Sequence, residues 1–531
     1  GSLFLGDDAR NGFVHRAQPG EPRLPERTLS ILLPPQADPS TVTVSISGTK
    51  ETDEPNVFDM SPGYPVAISA APVWPVGKRI QDGRDLDIYG KDAFHPAKSF
   101  GEPHVRRWGA FQILEVAYHP WKWNPRRGIL RRATGGKLVV KYAERKVAAS
   151  SLSKTELAEA KEVSSLVSNP EVVATYTGGV AVSAASETGT YAIVTTNAIR
   201  TGSANLLAFA RSKVARGFAV ELATQTGHWR LSNGAWSCIQ ADCGGGWGGG
   251  TGDAAAEALR AWLQAKYVSR DIQYALLIGN PNPTSGDVPM KMTWPRRAEG
   301  DYPECPTDYF FAELSGDWDL DANGYAGEYP ADYVTGGIDK FPEIVVGRIP
   351  YYGYMADLDK ILAKTVAFEN ATDIAWRKNA LLPMEPSDAS TPGYQLGEQI
   401  RTNFLIPREF SSTRIYDADY GVAPEITPCN IANVRNAWST GTYGVTTWWT
   451  HGSETSAADI FRSSDASYLN DAYPSFTFQN SCTNGSPEWS NNLGYALLRN
   501  GAIGTVSASR VSWYWVGQES FTGSPQSNAM M

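Results

Sequence analysis

Two residues in the last quarter of the chain have the type and setting for nucleophilic chemistry. The run Val445-Thr446-Thr447-Trp448-Trp449-Thr450 ends on His451-Gly452, and the run Phe476-Thr477-Phe478-Gln479-Asn480-Ser481 ends on Cys482. A thiol becomes a useful nucleophile when a neighbouring base or positive charge favours the thiolate, and an imidazole supplies that near neutral pH. Taken singly, a cysteine after an apolar strand is usually a small buried residue, and His-Gly is common in loops. Together, at the ends of successive apolar runs, they are more specific, because neighbouring parallel strands would carry both side chains to one rim. Glycine at 452 lets a main-chain N–H come close to a substrate. The N–H groups of Gly452 and Cys482 are therefore the expected oxyanion donors.

These side chains need a frame. Beyond Thr190, strands expected at 191–196, 218–224, 274–279, 343–349, 380–385, 413–416, 445–450, 475–480 and 503–508 alternate with amphipathic helices at 205–216, 253–268, 355–370, 394–405, 427–439 and 492–499. That alternation predicts an α/β fold with a mostly parallel sheet covered on both faces. Its working groups belong just beyond the carboxyl ends of the strands. From Arg10 to about Tyr142 the pattern differs: short apolar, β-branched segments at 28–33, 41–46, 111–117 and 137–142 are bounded by Pro, Gly and Asp. This predicts an all-β domain, in the form of a β-sandwich. A short helix over 154–166 and a tract rich in Ser, Ala, Val and Gly read as a linker. The expected organisation is a β domain at 1–147, a linker and maturation region at 148–190, and catalytic subdomains at 191–374 and 375–531.

Composition narrows the classes. A chain of 531 residues exceeds one core, and 19% charged against 42% hydrophobic residues is globular usage. A net charge of −9 with both signs interspersed argues against a nucleic-acid partner. No apolar run reaches the roughly 18 residues of a membrane span. The opening Gly-Ser reads as an expression remnant, so a signal peptide cannot be read. Cys238, Cys243, Cys305, Cys429 and Cys482 make five cysteines, an odd number that leaves at least one unpaired in a secreted protein. Cys238 and Cys243 are close enough in sequence for a small disulfide. His15, His95, His104, His119 and His228 have no spaced partners. The glycine tract Gly244–Gly250 precedes a helix but lacks a phosphate loop's Gly-Lys-Ser/Thr ending, so it reads as a surface loop.

A cation site is expected at Asp317-Trp318-Asp319-Leu320-Asp321-Ala322-Asn323-Gly324-Tyr325-Ala326-Gly327-Glu328. Asp317, Asp319, Asp321 and Glu328 match calcium-loop spacing, with Asn323 between them as a further oxygen donor, although the turn glycine is displaced and no EF-hand helices flank it. A solvated acidic turn is the plain alternative. Charges this dense repel without a cation, so a structural Ca²⁺ is the reading taken.

The paired strand endings resemble the signature of caspase-like cysteine peptidases, in which one apolar strand ends in His-Gly and the next in Ala/Ser-Cys. The fuller string His451-Gly452-Ser453-Glu454-Thr455 resembles the gingipain branch, as do Pro306-Thr307-Asp308-Tyr309-Phe310-Phe311-Ala312-Glu313-Leu314 and Pro342-Glu343-Ile344-Val345-Val346-Gly347-Arg348-Ile349-Pro350. Gly20-Glu21-Pro22-Arg23-Leu24-Pro25 and Tyr118-His119-Pro120-Trp121-Lys122-Trp123-Asn124-Pro125 are similar to that family's inhibitory propeptide. The resemblance implies a caspase-like α/β/α sandwich over about 191–518. It implies a secreted zymogen that cleaves polypeptides, with its own N-terminal domain as inhibitor. It also implies that a carboxylate orients the imidazole. Glu385, closing a strand, holds the matching place; Asp388 is its rival. Arg106 and Arg107, ahead of a strand, are candidates for an inhibitory loop. A monomer is expected.

Specificity is where the sequence departs from the family. Arginine-specific members carry an Asp where Tyr394 stands here, and lysine-specific members an acid near Ser512-Trp513. Neither position is acidic, and burying a cationic side chain without a carboxylate is costly. A basic residue before the cut (position P1) is therefore not expected, and Trp513 is a candidate pocket wall. The linker agrees, since no Lys or Arg lies between Lys161 and Arg200. Other readings of the same residues are a transpeptidase, an enzyme that processes only itself, and a binding protein that kept the fold without the chemistry.

Overall fold

Antiparallel strands build the N-terminal part. In the computed structural model described residues run from 14 to 516, apart from 64–65, 69–70, 74–76, 109–110, 146–159, 161–162, 178–188, 335 and 340–341. The chain forms two units. The first comprises Gly1–Ala185 with Val334–Phe341 and Tyr514–Gln518; the second comprises Ser186–Tyr333, Pro342–Trp513 and Glu519–Met531.

In the first unit the strands Val14–Arg16, Leu24–Leu33, Phe111–Tyr118 and His104–Trp108 form one sheet in that order. Trp121–Asn124, Ile129–Lys141 and Thr43–Val57 form another. One face of the first sheet, with Ile31, Leu33, Val105 and Leu114, packs on Val44, Leu138 and Val140 of the second. Its other face, with Leu32, Phe111 and Ile113, packs on Ala160, Val163, Val167 and Val173. Two strands expected to be short are long, at 15 residues for Thr43–Val57 and 13 for Ile129–Lys141. Their pairing continues past Gly135 and Gly136 by shifting register there, a device glycine permits inside a strand. The helix expected over 154–166 lies largely outside the described residues, as does much of the expected linker.

Arg106 and Arg107 correct an expectation. They stand inside the strand His104–Trp108, not in a loop ahead of one. Arg106 Nη1 donates to the Ile338 carbonyl at 2.9 Å, and Arg107 N–H donates to Asp339 Oδ2 at 2.9 Å. Alternation along the strand turns Val105 into the core and Arg106 to the opposite face.

The second unit carries two mostly parallel sheets. In the first, Ala219–Ala223, Thr190–Val194, Ile272–Gly279 and Val345–Pro350 run parallel. An antiparallel hairpin, His228–Ser232 and Ala235–Cys238, extends its edge. The hairpin turns at Asn233-Gly234, both at positive φ (52° and 75°), the backbone a two-residue turn requires and Asn-Gly supplies. Cys238 and Cys243 are joined in a disulfide just beyond it.

The second sheet is wholly parallel, in the order Ser411–Tyr416, Asn379–Met384, Val445–Trp449, Ser475–Asn480, Ala502–Ser507. Chain order reverses between Asn379–Met384 and Val445–Trp449, so a crevice opens there at the carboxyl edge. Helix Leu493–Arg499 serves both cores. Tyr495 and Leu498 pack with Ile193, Phe209 and Leu358, whereas Leu493, Ala496 and Leu497 pack with Leu381, Trp448 and Phe461. Two helix expectations needed adjustment. The helix after Pro428 begins only at Ile431, where Asn430 caps Asn433 N–H. The helix from Tyr394 is α-helical to Ile400 and loosens to a π turn over Arg401–Leu405, just before Pro407, which cannot donate a helical hydrogen bond.

Candidate active site

β-branched and aromatic residues make Val445–Trp449 and Ser475–Asn480 good central strands, and they pair in parallel with Trp449 opposite Asn480. Counting two residues on from each brings His451 and Cys482 to the same edge. Contact is direct in the main chain. A Cβ added to Gly452 would lie 2.5 Å from the Cys482 carbonyl oxygen and 2.7 Å from its nitrogen. Only glycine allows this approach.

Asn484 ties the two loops together. Buried completely, its Nδ2 donates to the carbonyls of Ser453 at 2.6 Å and Ser456 at 3.0 Å. Its Oδ1 accepts from Ser481 Oγ, which in turn accepts from Trp448 Nε1 at 3.0 Å. Between Cys482 and Asn484 the chain turns at Thr483, whose φ is +54°. A β-branched residue is strained in this left-handed conformation, and the network around it holds the turn.

The sulfur is half-buried and ringed by main-chain donors. Ser512 N–H approaches Cys482 Sγ at 3.4 Å. Burial pushes the thiol up, while the N–H groups of Ser512, Gly452 and Cys482 itself favour the thiolate. The N–H groups of Gly452 and Cys482, the expected oxyanion donors, thus lie beside the sulfur. Ser512 adds a third, and its Oγ donates to the Ser481 carbonyl at 3.3 Å.

His451 is steadied by the loop that follows the neighbouring strand Asn379–Met384. Its Nε2 lies 2.7 Å from the Ser387 carbonyl oxygen. A proton on Nε2 donated there leaves Nδ1 as the base of the ring. Ser387 is itself fixed, because its Oγ accepts from Trp449 Nε1 at 2.7 Å and its N–H donates to Thr391 O at 3.0 Å.

Glu385 follows the strand Asn379–Met384, across the crevice from the histidine strand, and its N–H donates to Trp449 O at 3.0 Å. The Cys429 thiol hydrogen-bonds its carboxyl group. Burial, then Asp417 and Asp459, push the carboxyl up to about 7. Asp388, its rival, accepts from Ser390 N–H at 2.7 Å and from Thr391 Oγ1 at 3.1 Å, closing the turn after Ser387. Tyr394 stacks on Tyr420 at 4.4 Å between ring centroids. Trp513 lies under the Arg296 guanidinium at 3.6 Å.

The acidic loop is arranged differently from its expected ligand set. Among the described residues, Asp319, Asp321 and Asp332 bring carboxylate oxygens within 4.8 Å of one another. Asp332 is fully buried, and burial pushes its carboxyl up. Asp317 instead accepts the Asp319 N–H at 3.1 Å. Glu328 pairs with Arg297 at 2.8 Å and accepts from the Asn323 side-chain amide.

The model of peptidase family C25 matches residues 184–530. The chain belongs to peptidase family C25. No curated protein matches it. Among solved structures, the Arg-specific cysteine proteinase gingipain R is 17% identical, with a TM-score of 0.43 over 64% of this chain and 66% of that one. A complex of the pro- and mature domains of RgpB from Porphyromonas gingivalis is 16% identical, with a TM-score of 0.42 over 63% and 67%. Gingipain K from Porphyromonas gingivalis, in a structure described for its zymogenic latency, is 13% identical, with a TM-score of 0.21 over 25% and 72%. Within this C25 chain, sequence reasoning missed Ser387, which acts through its carbonyl, and Asn484, which bridges loops.

Proposed function

We propose that this C25 chain is a secreted cysteine endopeptidase zymogen with a caspase-like catalytic fold, in which Cys482 attacks and His451 carries the proton. The observation that carries the reading is the main-chain contact of Gly452 with Cys482 at the ends of adjacent parallel strands. The thiolate adds to the scissile carbonyl carbon while the N–H groups of Gly452 and Cys482 receive the developing oxyanion. His451 gives its proton to the leaving amine, and the acyl-enzyme forms. Water, deprotonated by the same ring, then releases the acid. Ser387 holds the ring through its carbonyl, and Glu385 supplies negative charge at the crevice when ionised.

The N-terminal unit, with its two antiparallel sheets read as a β-sandwich, is the inhibitory prodomain in this proposal. A structural Ca²⁺ belongs to Asp319, Asp321 and Asp332, whose clustered carboxylates suit a hard cation.

The test is cleavage of a diverse peptide mixture by the full chain, before and after limited proteolysis, beside Cys482→Ala. Products appearing only with Cys482 present are expected. Identical products from both chains would falsify the assignment.

A further inference from the structure

Of the 17 tryptophans in the chain, one is exposed among the described residues: Trp489, at 52%. It stands downstream of Cys482 on the loop between the strand Ser475–Asn480 and the helix Leu493–Arg499. A loop that leaves a strand of a parallel sheet emerges at the carboxyl edge, so Trp489 shares the edge that carries Cys482 and His451. The main chain beneath it is fixed. Ser486 N–H donates to Thr483 O at 3.0 Å, Trp489 N–H to Ser486 O at 3.2 Å, and Asn492 N–H to Trp489 O at 3.1 Å. Buried Asn492 gives its Nδ2 to the same Trp489 carbonyl at 2.9 Å and to Ser486 O at 3.0 Å. Tyr352 Oη donates to the carbonyl of buried Pro487 at 3.0 Å. Arg510 holds the Glu488 carboxylate at 2.6 Å and 3.1 Å, and its own carbonyl accepts from Thr483 N–H at 3.0 Å. A backbone held at this many points carries an indole out into solvent.

We propose that Trp489 determines specificity, taking a large apolar side chain of the polypeptide substrate, aromatic above all, against its exposed indole. The inference rests on the peptidase reading above and names a feature of the substrate. An indole left in water forgoes the burial that its apolar area would favour, and a substrate side chain laid on it restores that burial. Aromatic anchors on a fixed backbone bind well because little conformational freedom remains to be lost on contact. Glu488, the acid beside Trp489 in the chain, is engaged by Arg510, which leaves the indole as the recognition group of this stretch. Between two rings, offset or edge-on packing adds to the area term, so Phe, Tyr and Trp should exceed Leu.

The experiment aligns the cut sites that the full chain makes in the diverse peptide mixture after limited proteolysis, beside Trp489→Ala and Trp489→Phe, with Cys482→Ala as control. Large apolar residues are expected to be enriched at one position relative to the cut. Matched peptides with Phe or Ala at that position should then differ at least about tenfold in kcat/KM, as a buried aromatic contact supplies. In Trp489→Ala that ratio should collapse towards one, and in Trp489→Phe it should survive in part. Because each ratio is taken within one protein, a smaller folded fraction does not alter it. Cys482-dependent cleavage with no apolar enrichment overturns this inference and leaves the peptidase reading intact. So does an enrichment that Trp489→Ala retains. A chain that cleaves nothing in the mixture overturns both.

Discussion

Asn484 Nδ2 donates a hydrogen bond to the Ser453 carbonyl at 2.6 Å, fastening the loop after the nucleophile to the loop after the histidine. Neither residue carries chemistry. What the bond fixes is the separation of two strand ends that, in the proposed mechanism, present a thiol and an imidazole to one carbonyl carbon. Near-attack geometry is worth several kcal/mol of barrier, so a small displacement here reaches the reaction directly.

Asn484→Ala leaves the carbonyls of Ser453 and Ser456 and the Ser481 hydroxyl without this partner, at about 1–3 kcal/mol for each group left buried and unsatisfied. The variant should melt several degrees lower and lose about 100-fold in kcat/KM. Asn484→Asp separates the two effects. It keeps the shape and the acceptor for Ser481 Oγ but cannot donate to the two carbonyls. Its activity should fall nearly as far as that of the alanine variant, measured by steady-state kinetics beside thermal melts.

Gly452→Ala tests the main-chain contact. The two nearest atoms the new methyl group meets, at 2.5 Å and 2.7 Å, belong to the Cys482 backbone, and the third, at 2.9 Å, is the Cβ of Ser481, so no flexible side-chain end can move aside. The loops must part, taking an oxyanion donor with them. Activity should drop by about 100-fold or more, with a stability loss of about 1–3 kcal/mol from overpacking. A variant with wild-type kcat would show that Gly452 is not part of the working geometry.

The proposed pair, His451 and Cys482, was legible because both residues follow strands whose β-branched and aromatic content is unmistakable. The alternation of strands and helices also fixed which edge they share. Ser387 left no such trace, since the group that meets His451 Nε2 is a main-chain carbonyl that any residue could supply. Asn484 was hidden by the turn at Thr483, whose positive φ brings a side chain two positions past the nucleophile back onto the histidine loop. Asp332 lay beyond the spacing template applied to the acidic loop, and joins Asp319 and Asp321 only because its own short helical turn folds back. The hairpin at Asn233-Gly234 is the opposite case. Its turn signal stood in the sequence, yet the edge strands it joins were not among those expected.

Chelation tests the cation. Three carboxylates within 4.8 Å of one another, one of them buried, repel when ionised, and a bound Ca²⁺ removes that repulsion. A ligand present at about 100 times its Kd stabilises the folded state by about 2.7 kcal/mol. Melting temperature should therefore fall with EDTA and return with excess Ca²⁺. Asp319→Ala should melt at the chelated value with or without the ion. A melt indifferent to both treatments would leave the loop as a hydrogen-bonded acidic turn.

The Glu385 carboxyl gives stability a pH dependence with a definite sign. Burial, Asp417 and Asp459 raise it from 4.5 to about 7 in the folded chain, so the protonated form is the one the fold prefers. Below 4.5 the group is neutral in both folded and unfolded states, and the stabilisation is fully present. As pH rises towards 7 the unfolded chain releases this proton while the folded chain retains it, and stability is lost across that window. Glu385→Gln is neutral at every pH and keeps the shape. Its melting temperature should change less than the wild type's between about pH 4.5 and about pH 8, where the wild type falls as the carboxylate forms. Parallel pH profiles for the two chains would mean that the carboxyl is already solvated in the folded state.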